Sequence, residues 1–276
     1  MEQSVIGKSV RGASHIRTNK ECQDSFRINT FDDGCVVIAV ADGHGSNSCP
    51  YSKSGSTTAV NTFCSIMGSL HESYSDKLDE LRTFLNREGE MSLAKSIEHE
   101  WKRRVVKNHS NEKRDVVLDD GKKNLDAIYI QYGTTLMGLF IAQEYIFAFQ
   151  LGDGDIQYIT DTKIEPVIQS DKILGVETHS LCKKNAWRSA ISSVSNIDNV
   201  TSGLYMISTD GLSNSYLDNN EFSTACVDYY KLIKAHGTKK IEQYLPDWLS
   251  ETSEKGCGDD ITVVFAYCSK ELCDGN

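Results

Sequence analysis

The sequence predicts an α+β fold in which mainly antiparallel sheets have helices packed outside them. Short runs rich in Val, Ile, Phe and Tyr are bounded by Gly or Asp, which is typical of buried strands. Longer stretches show the three-to-four-residue apolar spacing of amphipathic helices. No repeat or low-complexity linker interrupts the 276 residues, which contain only three prolines. We therefore expect a single domain over residues 1–276.

The N-terminal part predicts a strand, a long loop and a hairpin. The strand covers Ser4–Val10 and the loop covers 11–24. The hairpin strands, Ser25–Phe31 and Cys35–Ala41, flank the turn Asp32-Asp33-Gly34, a favourable turn sequence.

The next part predicts three helices followed by a polar loop. Ser56 or Thr57 is the expected cap of the first helix. The second helix is expected near Asp76–Leu85 and the third at Met91–Lys107, before a surface loop at Asn108–Asn124.

The second half of the chain predicts a strand meander, two helices and a closing strand. The expected strands share Gly-bounded apolar runs, the expected helices share apolar periodicity, and one long segment has neither. The strands are 133–142, 145–152, Ile156–Thr160, Ile164–Val167, Gly203–Ser208 and Ile261–Cys268; the helices are Glu221–His236 and Lys239–Ser250; Asp171–Ser202 is expected to be irregular.

Charge and cysteine usage limit the function classes. A net charge of -10 argues against a nucleic-acid binder, which usually has a basic surface. No apolar run approaches the roughly 20 residues that cross a bilayer, and the first residues lack the apolar core of a signal peptide. Nine cysteines without a CxxC pair indicate reduced thiols. We expect a cytoplasmic protein without membrane association.

Aspartates flank the predicted strands, and this is the strongest functional signal. Asp24, Asp42, Asp153, Asp210 and Asp259 each lie at a strand end, close to Gly or another small residue. One Asp-Gly pair usually indicates an ordinary turn. Several carboxylates at one rim repel each other unless cations lie between them, and hard divalent cations prefer oxygen ligands. The pattern therefore predicts a two-metal hydrolase.

Six sequence motifs together resemble one protein family. ADGHG, GTT, LGDGD, STDGL and GDDITVV occur in the order seen in metal-dependent Ser/Thr protein phosphatases of type 2C. CQD resembles the first motif of a bacterial branch of this family, and the resemblance extends from about Gly12 to Tyr267. It implies a four-layer α-β-β-α sandwich. It also implies hydrolysis of phosphoserine and phosphothreonine by direct attack of a water that bridges two Mn²⁺ or Mg²⁺ ions.

The resemblance also implies metal-binding residues in this chain. Asp42 would bridge two metal ions, and the carbonyl of Gly43 would bind one of them. Asp210 and Asp259 would complete the shell of the first ion, and Asp24 would support the site. By the same resemblance, Asp153 would share a third, weaker ion with Asp210.

The residues that act on the phosphate are implied less directly. His44 aligns with a proposed general acid. Many relatives have Arg where this chain has Asn19, so Arg17 is the expected phosphate clamp, with Lys20 as a second candidate. Gln23 replaces a Glu of many relatives. Likewise, Asn214 stands where many relatives have an Asp for the third ion.

Two alternatives remain open at this stage. One is a binding or regulatory module that keeps the fold with little or no catalysis, suggested by the residues at 19 and 23. The other is a different two-metal hydrolase, such as a nuclease, which the acidic balance disfavours. The phosphatase interpretation implies signalling, a phosphoprotein substrate, a cognate Ser/Thr kinase or its target as partner, and a monomer.

Overall fold

Two antiparallel five-stranded sheets face each other in the computed structural model, which describes residues 2–115, 118–168, 179–197 and 202–269. A two-stranded hairpin lies outside them. In chain order the strands are β1 Glu2–Val10, β2 Ser25–Thr30, β3 Val36–Ala41, β4 Leu118–Asp119, β5 Lys122–Lys123, β6 Leu136–Ile141, β7 Tyr145–Leu151, β8 Asp155–Ile159, β9 Ile164–Pro166, β10 Ile191–Asn196, β11 Gly203–Ser208 and β12 Ile261–Ser269.

The first and last strands are neighbours in one sheet. That sheet has the order β1-β12-β11-β8-β9, and the other has the order β10-β7-β6-β3-β2. β1 pairs with β12 along its whole length, from Glu2↔Ser269 to Val10↔Ile261. The first and last segments of the described chain therefore share one sheet and one core.

Helices cover the outer face of each sheet. α2 and α3 pack against the sheet that contains β3, with α4 packed on α2, and α7 and α8 pack against the sheet that contains β12. The four-layer α-β-β-α architecture is therefore confirmed. No helix in the described ranges is both long enough and apolar enough to cross a bilayer. The helices are α1 Ala13–Arg17, α2 Ser52–Ser73, α3 Leu78–Glu88, α4 Ala94–Asn111, α5 Leu125–Ile130, α6 Asp210–Ser213, α7 Asn219–His236 and α8 Thr238–Lys255, with a π-helical turn at Gly89–Leu93 and a 3₁₀ turn at Ala186–Ser189.

Apolar side chains fill the three spaces between the four layers. One cluster lies under α2–α4, one under α7 and α8, and the third lies between the sheets. All six residues of β3 are buried because the strand has a packed layer on each face. This explains why β3 reads as a continuous apolar run rather than an alternating one.

The predicted start of the first long helix is wrong by one turn. α2 begins at Ser52, not after a cap at Ser56 or Thr57. The hydroxyl of Ser56 is fully buried and donates a hydrogen bond of 2.5 Å to the carbonyl oxygen of Gln23. A residue that sequence patterns associate with helix caps is used here to hold a loop.

Two segments predicted to lack regular structure contain some. The loop at Asn108–Asn124 includes the last turn of α4 and the β4–β5 hairpin. The segment Asp171–Ser202, expected to be irregular, includes the edge strand β10. Its sequence, ISSVSN, is mostly polar and half exposed, so it lacks the apolar pattern of a buried strand. Residues 171–178 and 198–201 of that segment lie outside the described residues, as does Cys273.

Candidate metal centre

Four of the predicted metal-binding aspartates lie at one rim of the sandwich. Asp42 directly follows β3, and Asp24 directly precedes its antiparallel neighbour β2. In the other sheet, Asp210 follows the end of β11, and Asp259 precedes β12, which is antiparallel to β11. Antiparallel neighbours bring the end of one strand beside the start of the next. Segments far apart in sequence therefore supply carboxylates to the same place.

The carboxylates interact strongly enough to disfavour ionisation. Burial, followed by the charges of Asp24, Asp210 and Asp259, raises the pKa of Asp42 well above its usual range. Burial and the neighbouring Asp260 raise the pKa of Asp24 to about 7. Such shifts indicate a site that lacks positive charge. A divalent cation would supply it.

Two threonines fix the main chain of Asp42. Its amide donates to Oγ1 of Thr135 (2.9 Å), and its carbonyl accepts from Oγ1 of Thr134 (2.7 Å) and the amide of Thr135 (2.9 Å). The backbone groups of Asp42 are thus satisfied, and its carboxylate is left to face the rim. The GTT motif was recognised in the sequence, but this role was not.

Asp24 is held at the floor of the site. It is 1 % exposed, and its Oδ2 accepts a hydrogen bond of 2.8 Å from Oγ1 of Thr209, next to Asp210. Its carbonyl accepts from Nζ of Lys53 at 2.6 Å. These bonds fix Asp24 close to Asp42, whose pKa is raised by burial and by the charge of Asp24.

Asp260 is the functional residue that the sequence interpretation missed. It is buried, and its two carboxylate oxygens accept hydrogen bonds of 2.6 Å from the amides of Gly12 and Gln23. Nδ1 of His15 lies 2.9 Å from Oδ1 of Asp260, and its Nε2 lies 3.9 Å from Oδ1 of Asp259. Asp260 therefore fastens the loop before Asp24 to β12. The sequence signal for Asp260 was the pair of aspartates in GDD. Of the two, Asp259 is half exposed and lies at the rim, whereas Asp260 is buried.

The loop after Asp42 is packed too tightly for larger residues. A Cβ on Gly43 would lie 2.7 Å from the carbonyl oxygen of Gln23. The amide of His44 donates to the carbonyl of Gly133 at 3.1 Å, and a Cβ on Gly133 would lie only 2.7 Å from Cδ2 of His44. Glycine at 133 is needed to make room for the imidazole.

A cavity of about 530 Å³ opens beside His44. It is lined by Ser180, Lys183 and Lys184 on one side and by Ile130 on another. Two lysines against one carboxylate, Asp126, give the lining an excess of positive charge, which suits an anionic substrate.

Gln23 provides a test of whether the site suits a metal ion. Its side chain is buried, and its Oε1 has no hydrogen-bond partner among the described residues. This oxygen lies 2.3 Å from the position of a Cβ on Gly45, so it faces the Asp42 loop. Carboxylate and amide oxygens are the ligands of hard divalent cations. The donor set therefore fits such an ion.

The two residues expected at a third ion, Asp153 and Asn214, lie in different loops. Asp153 lies in the β7–β8 turn, where Gly152 has a φ of +124° and packs against Thr135. Asn214 donates from Nδ2 to Oδ2 of Asp210 at 3.0 Å. The structure thus places an amide, not a second carboxylate, beside Asp210.

The two candidate phosphate clamps lie on different sides of the rim. Arg17 ends α1 and is exposed, with Nη2 3.5 Å from the position of a Cβ on Gly258, directly before Asp259. Nζ of Lys20 donates to the carbonyl of Gly45 at 3.2 Å, beside His44. Both cations are therefore close to residues of the carboxylate rim.

Residues 11–250 match the family model described as "Protein phosphatase 2C". None of the curated protein sequences is significantly similar to the chain.

Bacterial phosphatases share the fold over nearly the whole chain. The serine/threonine phosphatase of S. agalactiae is 17 % identical, with a TM-score of 0.62 and coverage of 97 % of this chain and 100 % of that one. Stp1 from Staphylococcus aureus is 12 % identical, with a TM-score of 0.60 and coverage of 98 % and 96 %. The catalytic domain of PstP, in complex with two manganese ions, is 14 % identical, with a TM-score of 0.57 and coverage of 97 % and 99 %. At these identities the likeness shows the fold.

Proposed function

The chain belongs to the protein phosphatase 2C family, and from this premise we propose that it hydrolyses phosphoserine and phosphothreonine in proteins in a metal-dependent reaction. The observation that carries the proposal is the grouping of Asp24, Asp42, Asp210 and Asp259 at one rim, where burial and then the charges of the other three raise the pKa of Asp42. The PstP neighbour with manganese favours Mn²⁺, with Mg²⁺ as the other candidate.

The proposed ligands are oxygen atoms of this rim. Asp42 and the Gly43 carbonyl, with Asp210 and Asp259, would hold two ions; Asp24 would support them, and Asp153 would contribute to a weaker third. When bound, the ions would activate water and neutralise phosphate oxygens. Because the buried carboxylates are preorganised by the protein, the ions would be held in fixed positions.

Side chains of the chain itself would handle the proton and the substrate. We assign His44 as the group that donates a proton to the leaving seryl or threonyl oxygen, since imidazole titrates near neutral pH. Arg17 and Lys20 would contact the phosphate from opposite sides of the rim. The cavity beside His44, with Lys184 exposed at its edge, would receive the peptide next to the phosphorylated residue.

The wider setting of this activity is part of the proposal. We further propose a monomeric, single-domain enzyme in the cytoplasm that acts in signalling opposite a Ser/Thr kinase; the bacterial source of phosphatases with the same fold supports a bacterial origin. All eight cysteines among the described residues are free, as a reducing compartment would require. Phosphoproteome comparison of cells with and without the chain would identify the substrates and contradict the assignment if no phosphosite changed.

Hydrolysis of an aryl phosphate tests the proposal directly. We expect EDTA to abolish turnover and Mn²⁺ to restore it, and Asp42→Asn or Asp210→Asn to lower kcat at least about a hundredfold. Asp228→Asn, an exposed site on α7 paired with Lys231, is the matched control and should leave turnover unchanged. Full activity in Asp42→Asn would contradict the proposed site. A phosphatase-like module without catalysis would instead show no turnover in the wild type.

A further inference from the structure

A second group of metal-ligating side chains lies at the opposite end of β3. Asp33 and Cys35 belong to the turn that connects β2 to β3, and His71 belongs to the last turn of α2. A ring nitrogen of His71, Sγ of Cys35 and a carboxylate oxygen of Asp33 all lie within 4.8 Å of one another. The six residues of β3 separate this group from Asp42 by about 20 Å.

The donor atoms differ in kind from those of the carboxylate rim. Sulfur, imidazole nitrogen and one carboxylate oxygen are the ligands that Zn²⁺ accepts, whereas Mg²⁺ and Mn²⁺ prefer oxygen alone. Bonds of about 2.0–2.3 Å in a tetrahedral site place ligand atoms within 4 Å of each other. Small side-chain shifts would therefore close the present arrangement around an ion.

The side chains are already oriented by the fold. Nε2 of His71 and Oδ2 of Asp33 are 2.8 Å apart, and Oδ1 of Asp33 accepts a hydrogen bond of 3.0 Å from the amide of Cys35. Phe31 packs on the imidazole with a centroid distance of 4.1 Å. The side chains of Asp33 and His71 are thus oriented by each other, by the amide of Cys35 and by the ring of Phe31.

Two buried polar atoms near this group have no partner among the described residues. They are Nδ1 of His71, in a residue 7 % exposed, and the hydroxyl of Tyr145, in a residue 1 % exposed. Phe140 contacts both rings, and the Tyr145 hydroxyl interacts electrostatically with Cys35. A buried polar group without a partner is unfavourable, and a metal-bound water beside Cys35 would give the Tyr145 hydroxyl a partner.

We propose that Asp33, Cys35 and His71 bind one Zn²⁺ ion, with a water molecule as the fourth ligand within reach of the Tyr145 hydroxyl. Binding would release the thiol proton of Cys35 to solvent and replace the hydrogen bond between His71 and Asp33. The ion would fasten the β2–β3 turn to the end of α2. Its role would be structural, and it would be independent of the catalytic ions.

Titration of the chelator-treated, reduced full chain with Zn²⁺ or Co²⁺ alone tests the site. We expect one equivalent of Co²⁺ to give a sulfur-to-metal charge-transfer band, in the wild type and equally in Asp42→Asn. Cys35→Ala should remove the band and weaken Zn²⁺ binding by at least about a hundredfold, since even residues around the ligands account for 10–100-fold. Cys64→Ala is the matched control, because Cys64 is another fully buried cysteine and lies on α2. It should keep both the charge-transfer band and the wild-type Zn²⁺ affinity.

A second variant covers the case in which Cys35→Ala does not fold. The Asp33 side chain is about a third exposed, so Asp33→Asn should fold and weaken Zn²⁺ binding by about tenfold or more. A folded wild type without the sulfur band would overturn the proposal. So would equal Zn²⁺ affinity in the wild type and the ligand variants, and the three residues would then be an ordinary turn anchor.

Discussion

Nδ2 of Asn214 donates a hydrogen bond of 3.0 Å to Oδ2 of Asp210. One carboxylate oxygen of Asp210 is therefore engaged by a neutral amide on the outer side of the rim. We expect Asn214→Asp to create a pair of carboxylates there and to add a Mn²⁺ site detectable by calorimetry. Asn220→Asp, near the start of α7, should add none. Unchanged stoichiometry in Asn214→Asp would show that a second carboxylate at this position is not sufficient for a third ion.

The unpartnered amide oxygen of Gln23 leads to a second prediction. Gln23→Glu adds a negative charge in a buried position beside the Asp42 loop. We expect the metal-free protein to melt at a lower temperature, because the added charge is repelled, and Mn²⁺ affinity to rise by about tenfold. Melting curves with EDTA and with Mn²⁺ measure both effects, and the exposed Gln243→Glu should show neither. A Gln23→Glu protein with unchanged Mn²⁺ affinity would place this side chain outside the metal shell.

Thr135 carries a third prediction because it accepts the amide hydrogen of Asp42. Thr135→Val keeps the size of the side chain but leaves a buried N–H without a partner. We expect the free energy of unfolding to fall by about 1–3 kcal/mol and Mn²⁺ binding to weaken. Thr58→Val removes only a hydrogen bond to the carbonyl of Ser54 within α2. The free energy of unfolding measured with denaturant should therefore fall by less in this variant. Equal losses in both variants would argue against a positioning role for Thr135.

The raised pKa of Asp24 predicts how the stability of the metal-free protein depends on pH. Its pKa is about 7 in the folded protein and 3.8 ordinarily. Between these values the folded form holds a proton that the unfolded chain releases. The free energy of unfolding in EDTA should therefore fall as pH rises from about 4 to 7.

Urea unfolding at several pH values in EDTA measures this trend. Asp24→Asn should make the curve less steep, leaving the part due to Asp42, whose pKa is also raised by burial and by its neighbours, and Asp228→Asn should leave it unchanged. Mn²⁺ affinity should rise over the same window, because the ion competes with the proton. A wild-type curve as flat as that of Asp24→Asn would mean that the carboxylate is ionised throughout.

The positions of the rim aspartates were predictable, but the residues that hold them were not. Asp42 and Asp210 stand directly beyond apolar runs, so strand ends located them. Asp260 resembles its neighbour in sequence, and only its contacts with Gly12 and Gln23 reveal that it is an anchor. Thr134 belongs to a recognisable motif, but its hydroxyl finds its partner 92 residues away. Such roles depend on tertiary neighbours that no local pattern encodes.

The segments that sequence reasoning missed lack the signals on which it depends. β10 is an edge strand with few apolar residues, so its sequence shows no alternation of apolar and polar positions. α1 has five residues and no buried side chain. His71 and Cys35 are 36 positions apart and are brought together only when α2 packs on the hairpin. By contrast, the strands with long apolar runs were all predicted to within a few residues.

The pairing of β1 with β12 determines when the catalytic rim can exist during synthesis. Asp24 follows the first strand, whereas Asp259 and its anchor Asp260 precede the last one. As the chain emerges from the ribosome, α2–α4 can assemble early with the sheet that contains β3. β12 is synthesised last among the strands, and it can insert between β1 and β11 only after it has left the ribosome. Until then the loop before Asp24 lacks its hydrogen bonds to Asp260. A partly synthesised chain therefore cannot hold the complete carboxylate set, and catalytic competence arrives only with the closing strand.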